Sequence, residues 1–420
     1  MALIATTSLL AACSGGSDEG DTGSDGKVTI TWWHNGNNDP AKAYWQGIAD
    51  QFMAANPKVK VEISALQNED LRTRLTTALQ SNNPPDLFQQ WGGGEMSDQV
   101  KADRLMDITD QVQTEAASMG GAVNGWQVDG KTYGLPFSLG VVGFWYNKDF
   151  FAKAGITTPP ATLDEWLTAV QKLKAANIQP VAVGAADKWP AAHYWYYTAT
   201  RECTKDTLKK AQSTFDFSDP CWLRAGSALQ KIVAADPFNK GYLATPAQQG
   251  AASSAGLLAN GKVAMELMGH WNPSVMNGLT ADKKGLGDKL GWFPFPSLPD
   301  GEGDPKAAMG GGDGYSCSKT APKECVDLLK FISTKENQIK YAETGVGLPT
   351  VIGAETGVSD PNMKTLIEFR NAAPYVQLYL DTAYGPNVGG ALNDAVALLF
   401  AKKGSPEDVV KAVTEAGKQQ

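Results

Sequence analysis

No apolar run in this 420-residue chain approaches the ~20 residues that a membrane-spanning helix requires. Arginine is scarce, with only six residues of this type, and the formal net charge is −8. A nucleic-acid partner would require a basic surface, and phosphate groups are commonly bound by arginine, so both kinds of ligand are disfavoured. The low basic content instead favours a neutral ligand. At this length two domains are the default expectation.

Motifs that would mark a common enzyme or a metal site are also missing. There is no G-x-S-x-G elbow, no H-E-x-x-H helix and no P-loop. The three histidines, His34, His193 and His270, are far apart in sequence, and no C-x-x-C pair occurs. We therefore predict neither a metal nor a cofactor.

The N-terminal segment is organised around Cys13. An apolar stretch and two alanines precede this residue, and residues 14–26 carry no apolar side chain. The run Leu10–Cys13 resembles the lipobox of bacterial lipoprotein precursors, in which the thiol is acylated and the chain is cut just before it. We therefore predict a signal peptide over residues 1–12, then a lipidated cysteine and a flexible tether over residues 13–26.

No Lys or Arg precedes Cys13, whereas a secretory signal begins with a positively charged region. The signal peptide is therefore interpreted as truncated. The expected location is the extracellular face of the cytoplasmic membrane, with the chain held there by its lipid. Stable anchoring would need more than one acyl chain on the cysteine.

Four cysteines remain after Cys13, and they form two local pairs. In an exported chain such pairs favour structural disulfides over metal ligands. Proximity predicts that Cys203 pairs with Cys221 and that Cys317 pairs with Cys325. The first bridge would contribute about 3 kcal/mol on the chain-entropy view.

The first part of the body alternates strands and helices. Strands are predicted over residues 28–33, 59–66 and 86–90, with helices over residues 41–56 and 69–79 between them. This alternation indicates βαβ units and a parallel sheet. In such sheets ligands bind in the loops at the carboxyl ends of the strands.

A second block of similar character begins near Val141. Thr162–Glu165 is a capping box that opens a helix to about residue 176. Strands are predicted over residues 180–184 and 263–268, and the C-terminal third is predicted to be mostly helical. The predicted fold class is therefore α/β.

Four stretches together resemble the extracellular solute-binding proteins of carbohydrate ABC importers, the family to which maltodextrin-binding proteins belong. The resemblance covers residues 27–420, and its most specific parts are Tyr146–Asp149 and Gly261–Met265. The stretches are VTITWWHNGN, the F-x-x-x-N-P-x-V-x-V phrase at Phe52–Val61, GFWYNKDFFAKAGI with its later TLDEW, and LLANGKVAMELMGHW.

The resemblance implies a two-lobed, periplasmic-binding-protein-like fold that closes on a ligand in the cleft between its lobes. It also implies a monomer whose partners are the membrane permease subunits of the importer. Lobe I is expected over residues 27–140 plus 296–348, and lobe II over residues 141–295 plus 349–420. The hinge crossings are expected near Leu139–Gly143, Phe293–Ser297 and Gly347–Thr350.

Aromatic side chains after predicted strands are the first candidates for ligand contact, because sugars present apolar C–H faces to flat rings. Trp271 follows the strand at 263–268, Trp91 follows the strand at 86–90, and Trp189 follows the strand at 180–184. The glycines after Trp91 would let backbone approach a ligand. The alternatives are core packing for Trp271 and a surface turn for Trp91.

Polar candidates would receive the sugar hydroxyls. Asp313, between glycines, is a candidate bidentate acceptor, with a plain turn as the alternative. Asn35 and Gln67, beside Asn68, follow the first two strands and are equally candidates for helix caps. The list is completed by Gln90, next to Trp91, and by Phe144, next to the first crossing.

The tryptophan-rich loops and the two extra cysteine pairs resemble binders of xylobiose or short xylo-oligosaccharides from actinobacteria. Cello-, chito- and arabino-oligosaccharides remain open. The rival hypothesis is a lipid-anchored glycosidase, but the acids in predicted loops, Glu95, Asp187 and Asp313, show no visible pairing across one bond. A third hypothesis is a cell-surface scaffold or adhesin, which predicts no closure on a ligand.

Overall fold

The computed structural model describes residues 26–81 and 83–419. Cys13, the predicted signal peptide and all of the predicted tether except Gly26 lie outside these residues. The strands are β1 Val28–His34, β2 Val59–Ala65, β3 Leu87–Gln90, β4 Gln127–Val128, β5 Lys131–Thr132, β6 Leu135–Val141, β7 Gly143–Asn147, β8 Val181–Ala182, β9 Met265–Met268, β10 Leu290–Phe293, β11 Ala308–Cys317 and β12 Val376–Leu378.

The α-helices account for most of the remaining regular structure. They are α1 Ala41–Ala55, α2 Asn68–Gln80, α3 Gly93–Lys101, α4 Gln113–Met119, α5 Lys148–Lys153, α6 Leu163–Ala175, α7 Trp189–Glu202, α8 Lys205–Thr214, α9 Cys221–Ala234, α10 Ser254–Ala259, α11 Asn272–Gly278, α12 Glu324–Ile332, α13 Lys335–Glu343, α14 Pro361–Ala372, α15 Leu380–Phe400 and α16 Pro406–Gly417. Across the described ranges, no helix has both the length and the apolar character needed to cross a membrane.

Two mixed sheets organise the chain, as the α/β prediction requires. The first has the order β12-β11-β3-β1-β2, with β6 also paired to β11, and β1 runs parallel to both β2 and β3. The second has the order β10-β7-β9-β8. One large apolar core is formed mainly by the first sheet and its helices, and another mainly by the second sheet and its helices, which gives the two-lobed fold.

The chain passes from the first sheet to the second at the first predicted crossing. Only Val142 separates β6, in the first sheet, from β7, in the second. The hydroxyl of Tyr197 donates to the Val142 carbonyl, and the Leu139 amide donates to the Leu348 carbonyl at 3.0 Å. The first and third predicted crossings therefore lie side by side.

A buried arginine holds the second crossing, between β10 and β11. The Arg201 guanidinium donates to the carbonyls of Phe295, Pro296 and Ala307, the last at 2.7 Å. These carbonyls belong to a segment without regular structure, so the arginine supplies partners that the backbone lacks.

Both predicted disulfides are formed. Cys203, just after α7, is joined to Cys221, the first residue of α9. Cys317, at the end of β11, is joined to Cys325 in α12. Each bridge therefore fixes a helix end against a neighbouring element.

Several predicted bounds differ from the structure. The strand predicted over residues 180–184 is limited to Val181–Ala182. The predicted boundaries assign residues 349–420 to lobe II, yet Val376–Leu378 pairs with β11 in the first sheet. The exact division into lobes remains a prediction.

Candidate ligand-binding site

A cavity of about 440 Å³ lies between the two halves of the molecule. This volume falls within the ~300–1,000 Å³ typical of small-molecule sites. Its walls come from the ends of β1 and β3, the first turn of α2 and the middle of β11 on one side. On the other side they come from the start of α7, the segment after β9 and the first half of α15.

Five of the eight predicted ligand-contacting residues line this one cavity. They are far apart in sequence, and the strand ends bring them together. They are Asn35, Trp91, Trp189, Trp271 and Asp313.

The other three predicted residues lie outside the cavity and are engaged elsewhere. The Gln67 side chain caps α2, because its Oε1 accepts from the amides of Glu69 at 2.8 Å and Asp70 at 3.1 Å. Gln90 Oε1 accepts from the amides of Trp91 and Gly92, and so fixes the turn after β3.

Phe144 belongs to the apolar core of the second lobe. Its ring is fully buried and stacks on Phe293 with 5.1 Å between centroids. Phe144 was selected because it follows the first crossing closely in sequence, but in the structure β7 directs its ring into the core and not into the cleft. The prediction for Phe144 is therefore corrected to core packing.

The glycines after Trp91 bring protein backbone together instead of admitting a ligand. A Cβ on Gly92 would lie 2.3 Å from the Gly125 carbonyl oxygen, and one on Gly94 would lie 2.6 Å from the Ala383 carbonyl oxygen. The absence of side chains here lets α3 approach α15 closely. The prediction that these glycines accommodate a ligand is therefore not supported.

Four aromatic rings form one wall of the cavity, here called the aromatic wall. Its members are Trp189, His193, Trp271 and Tyr379. His193 stacks on Tyr379 with 5.4 Å between centroids, and Trp189 and Trp271 are 6.3 Å apart. Flat, mutually braced rings of this kind suit the C–H faces of a sugar.

Trp271 is positioned by the glycine two residues before it. A Cβ on Gly269 would lie 2.1 Å from the Trp271 ring, so the ring rests directly on the Gly269 backbone. The side chain is partly exposed, although it also packs against core residues. Glycine at position 269 therefore determines where the platform lies.

Trp91 is held differently. The Arg72 guanidinium lies over its ring at 4.0 Å, and Arg72 also pairs with Glu95 at 3.3 Å. One face of Trp91 is therefore covered by a cation. Glu95, one of the acids in the predicted loops, is engaged in this ion pair.

A hydrogen bond spans the cavity and is here called the cleft bridge. Trp189 Nε1, at the start of α7, donates to Glu69 Oε1, in the first turn of α2, at 3.0 Å. Asn68 Nδ2 donates to the same oxygen at 2.8 Å. Because α2 follows β2 of the first sheet and α7 follows β8 of the second, this hydrogen bond joins the two sides of the cavity.

Asp313 lies in the middle of β11, and its carboxylate reaches the cavity. Gln89 Nε2 donates to its Oδ1 at 2.7 Å. Burial raises the pKa of Asp313 to about 6, although the Gln89 hydrogen bond and the nearby Arg72 act in the opposite direction. A partly desolvated carboxylate of this kind is a strong acceptor for ligand donors.

The setting of Asp313 is a strand and not the turn that its glycines suggested. A Cβ on Gly312 would lie 2.3 Å from the Ser138 carbonyl oxygen, and one on Gly314 would lie 2.3 Å from Trp126 Nε1. The glycines therefore let β11 pack flat between β6 and the Trp126 ring.

The two histidines of the cavity are neutral at ordinary pH. Burial lowers the pKa of His193 to about 4 and that of His270 to about 3. His270 Nε2 lies 2.8 Å from Ser138 Oγ, and its ring occupies the space that a Cβ on Gly140 would take. Their chemistry is therefore that of polar rings and not of cations.

Several cavity residues were not predicted. Glu69 lies in the first turn of α2, next to the loop that follows β2, so a search of that loop extended by one residue beyond Asn68 would have found it. Arg72 and His193 lie within helices and Tyr379 precedes α15, where no sequence pattern distinguishes them. Within the described residues, no group of three or more His, Cys, Asp or Glu side chains is arranged to hold a metal ion.

Residues 35–339 match the family described as bacterial extracellular solute-binding proteins. An uncharacterized ABC transporter extracellular-binding protein of Pyrococcus horikoshii is 28% identical over 69% of this chain and 64% of its own length. The match therefore spans slightly less than two thirds of that relative.

Two further relatives match along most of their lengths. A diacetylchitobiose-binding protein of Streptomyces coelicolor is 25% identical over 96% of this chain and 93% of its own. A solved structure from work on xylan utilization by the thermophilic bacterium Caldanaerobius polysaccharolyticus is 25% identical with a TM-score of 0.85. It covers 92% of this chain and 99% of that one.

Proposed function

The chain belongs to the family of bacterial extracellular solute-binding proteins, and from that premise we propose that it captures a neutral oligosaccharide for an ABC importer. The proposed role is binding and not catalysis, in keeping with relatives that are named as an extracellular-binding protein and a diacetylchitobiose-binding protein. The lobes close on the sugar in the cavity, and the loaded protein delivers it to the permease subunits in the membrane.

The observation that carries the proposal is the pairing of aromatic and acceptor groups in one cavity between the lobes. The aromatic wall offers rings to the C–H faces of a sugar. Asp313, Asn35 and Glu69 offer oxygen atoms to its hydroxyl groups. Neither feature alone distinguishes a sugar from another small polar molecule, but the two features together favour a sugar as the ligand.

Xylobiose or a short xylo-oligosaccharide is the proposed ligand. The solved structure from work on xylan utilization supports this choice, as do the tryptophan-rich walls of the cavity. The relative from Streptomyces, which is named for diacetylchitobiose, favours a chito-oligosaccharide as the second candidate.

The proposed setting is the outer face of the cytoplasmic membrane. The protein is anchored there by lipid on Cys13, and it acts as a monomer. The resemblance of Leu10–Cys13 to a lipobox and the extracellular family support this placement. A flexible tether would leave the lobes free to close and still reach the permease.

A thermal-shift screen over xylo-, cello-, chito- and arabino-oligosaccharides tests the proposal. A ligand at 100 times its Kd stabilises the protein by about 2.7 kcal/mol, so the true ligand stands out. We expect xylobiose or xylotriose to raise Tm most. If no neutral oligosaccharide raises Tm, the proposal is wrong.

Calorimetric titration of variants then locates the site. Trp271→Ala and Asp313→Ala should both weaken binding, whereas Trp271→Phe retains a ring and should retain most of the affinity. Asp300→Asn, an exposed aspartate away from the cavity, is the matched control. Wild-type affinity in either alanine variant would remove that residue from the site.

A further inference from the structure

The charged side chains that line the cavity are unequally divided. Of the described charged side chains that line the cavity, five are carboxylates and two are cations. The carboxylates are Glu69, Asp187, Asp313, Asp381 and Asp394, and the cations are Arg72 and Lys188. The cavity therefore carries an excess of negative charge.

Both cations already have a carboxylate partner. Arg72 pairs with Glu95, which lies behind the cavity wall, at 3.3 Å. Lys188 pairs with Asp394 at 2.5 Å, and both of these side chains are more than half exposed. Among the described residues that line the cavity, neither cation is free of an ion pair.

Three of the helices that begin beside the cavity have a carboxylate in or just before their first turn. A helix N-terminus ordinarily attracts anions, because its amides are unpaired and its dipole is positive there. Glu69 stands in the first turn of α2 and Asp381 in the first turn of α15. Asp381 Oδ1 accepts from the Thr382 amide at 2.8 Å, and Asp187 precedes α7.

The cavity wall nevertheless contains polar atoms that a ligand could hydrogen-bond. The Tyr379 hydroxyl, His193 Nδ1 and His270 Nδ1 are buried and have no hydrogen-bond partner among the described residues. All three side chains line the cavity. Because the two histidine rings are neutral, they can form hydrogen bonds with hydroxyl or amine groups, but they supply no positive charge.

From these observations we infer that the cavity selects its sugar by charge: it excludes oligosaccharides that carry a carboxylate and accepts neutral or amine-bearing ones. This inference rests on the proposed function and narrows its ligand class. A uronic acid would place a carboxylate among Glu69, Asp187 and Asp313, with no unpaired cation to receive it. A protonated amine would instead supply donors and a charge of the opposite sign.

Pairs of disaccharides that differ in one kind of group test the inference by calorimetry at pH 7. Glucosyl-xylose and glucuronosyl-xylose differ by a hydroxymethyl against a carboxylate group, and cellobiose and cellobiouronic acid form a second such pair. Chitobiose, which carries free amines, is compared with neutral N,N′-diacetylchitobiose. In the first two pairs the anionic member should bind at least about tenfold more weakly than its neutral partner, whereas chitobiose should bind no more weakly than its diacetylated form.

Variants connect the discrimination to named carboxylates. Asp313→Asn and Asp187→Asn should each narrow the difference between the neutral and anionic members. The exposed Asp300→Asn should leave it unchanged. Because the readout is a ratio of two affinities for one variant, a general loss of affinity does not imitate the expected result.

The outcomes separate the inference from the proposed function. Equal affinity for neutral and anionic members overturns the inference and leaves the proposed function intact. Binding of chitobiose without binding of any neutral disaccharide contradicts the proposed neutral ligand and supports selection by charge. Binding of the uronic acids alone contradicts both.

Discussion

The cleft bridge between Trp189 and Glu69 gives the sharpest prediction, because it joins the two sides of the cavity without needing any ligand atom. Its donor and acceptor lie 3.0 Å apart. The perturbation is a double-mutant cycle of Glu69→Ala, Trp189→Phe and the double variant. Trp189→Phe keeps an aromatic ring but removes the donor, so direct stacking on a sugar is largely preserved.

The expected magnitude follows from the nature of the bond. A hydrogen bond to a charged group contributes about 1.5–3 kcal/mol net. Both side chains are partly exposed, so the lower half of this range applies. A closed state destabilised by about 1.5–2 kcal/mol corresponds to a roughly 10–30-fold loss of affinity for the sugar.

The assay combines calorimetry for Kd with stopped-flow tryptophan fluorescence for the dissociation rate. The loss should appear mainly as faster dissociation, because the bridge forms after the lobes approach. Glu69→Gln retains an acceptor oxygen and is the matched control, with a smaller loss. Single-variant effects that add to within about 0.5 kcal/mol would show that the two side chains do not interact, and would refute the reasoning.

Three further predictions concern the platform and two buried carboxyl groups. Gly269→Ala should displace the Trp271 ring and so weaken sugar binding in calorimetry. Gly47→Ala is the control, because its Cβ would meet only a flexible glutamine at 3.9 Å, and it should leave the affinity unchanged. Equal affinities of the two variants for the sugar would contradict this prediction. Because burial raises the pKa of Glu266 to about 7, folding retains its proton and stability falls as pH rises from about 4.5 to 7. At pH 8 the free energy of unfolding of Glu266→Gln, measured with denaturant, should therefore exceed that of the wild type by up to about 3 kcal/mol, and near pH 4.5 the two values should be equal. An equal gain in the free energy of unfolding at both pH values would be inconsistent with this account. Because burial raises the pKa of Asp313 to about 6, affinity for a neutral sugar should fall between pH 7 and pH 5 as the carboxylate is protonated, and this dependence should vanish in Asp313→Asn.

The sequence predicted the elements whose apolar pattern is local. β1 and β2 follow their β-branched and aromatic runs, and α6 begins at the predicted capping box of Thr162 and Glu165. The predictions were wrong where contacts between distant parts of the chain determine the local structure. β11 was missed because a run of glycines ordinarily indicates a turn, but here the glycines admit neighbouring backbone and the Trp126 ring.

The candidate site was predictable where its residues follow strands, and not elsewhere. Asn35, Trp91 and Trp271 follow strands whose ends meet at the cavity. The same rule selected Gln67, but its amide is used by the backbone of α2. Tyr379 reaches the cavity only because β12 pairs with β11, a contact between distant segments that no local pattern reveals.

Calorimetric titration of the intact protein with xylobiose, xylotriose and N,N′-diacetylchitobiose, followed by chromatography of the recovered sugar, tests the central claim most directly. A saturable one-to-one heat with at least one neutral oligosaccharide, recovered unchanged and lost or strongly weakened in Trp271→Ala, is the predicted result. The absence of binding to all three sugars, or recovery of cleaved sugar, would contradict it.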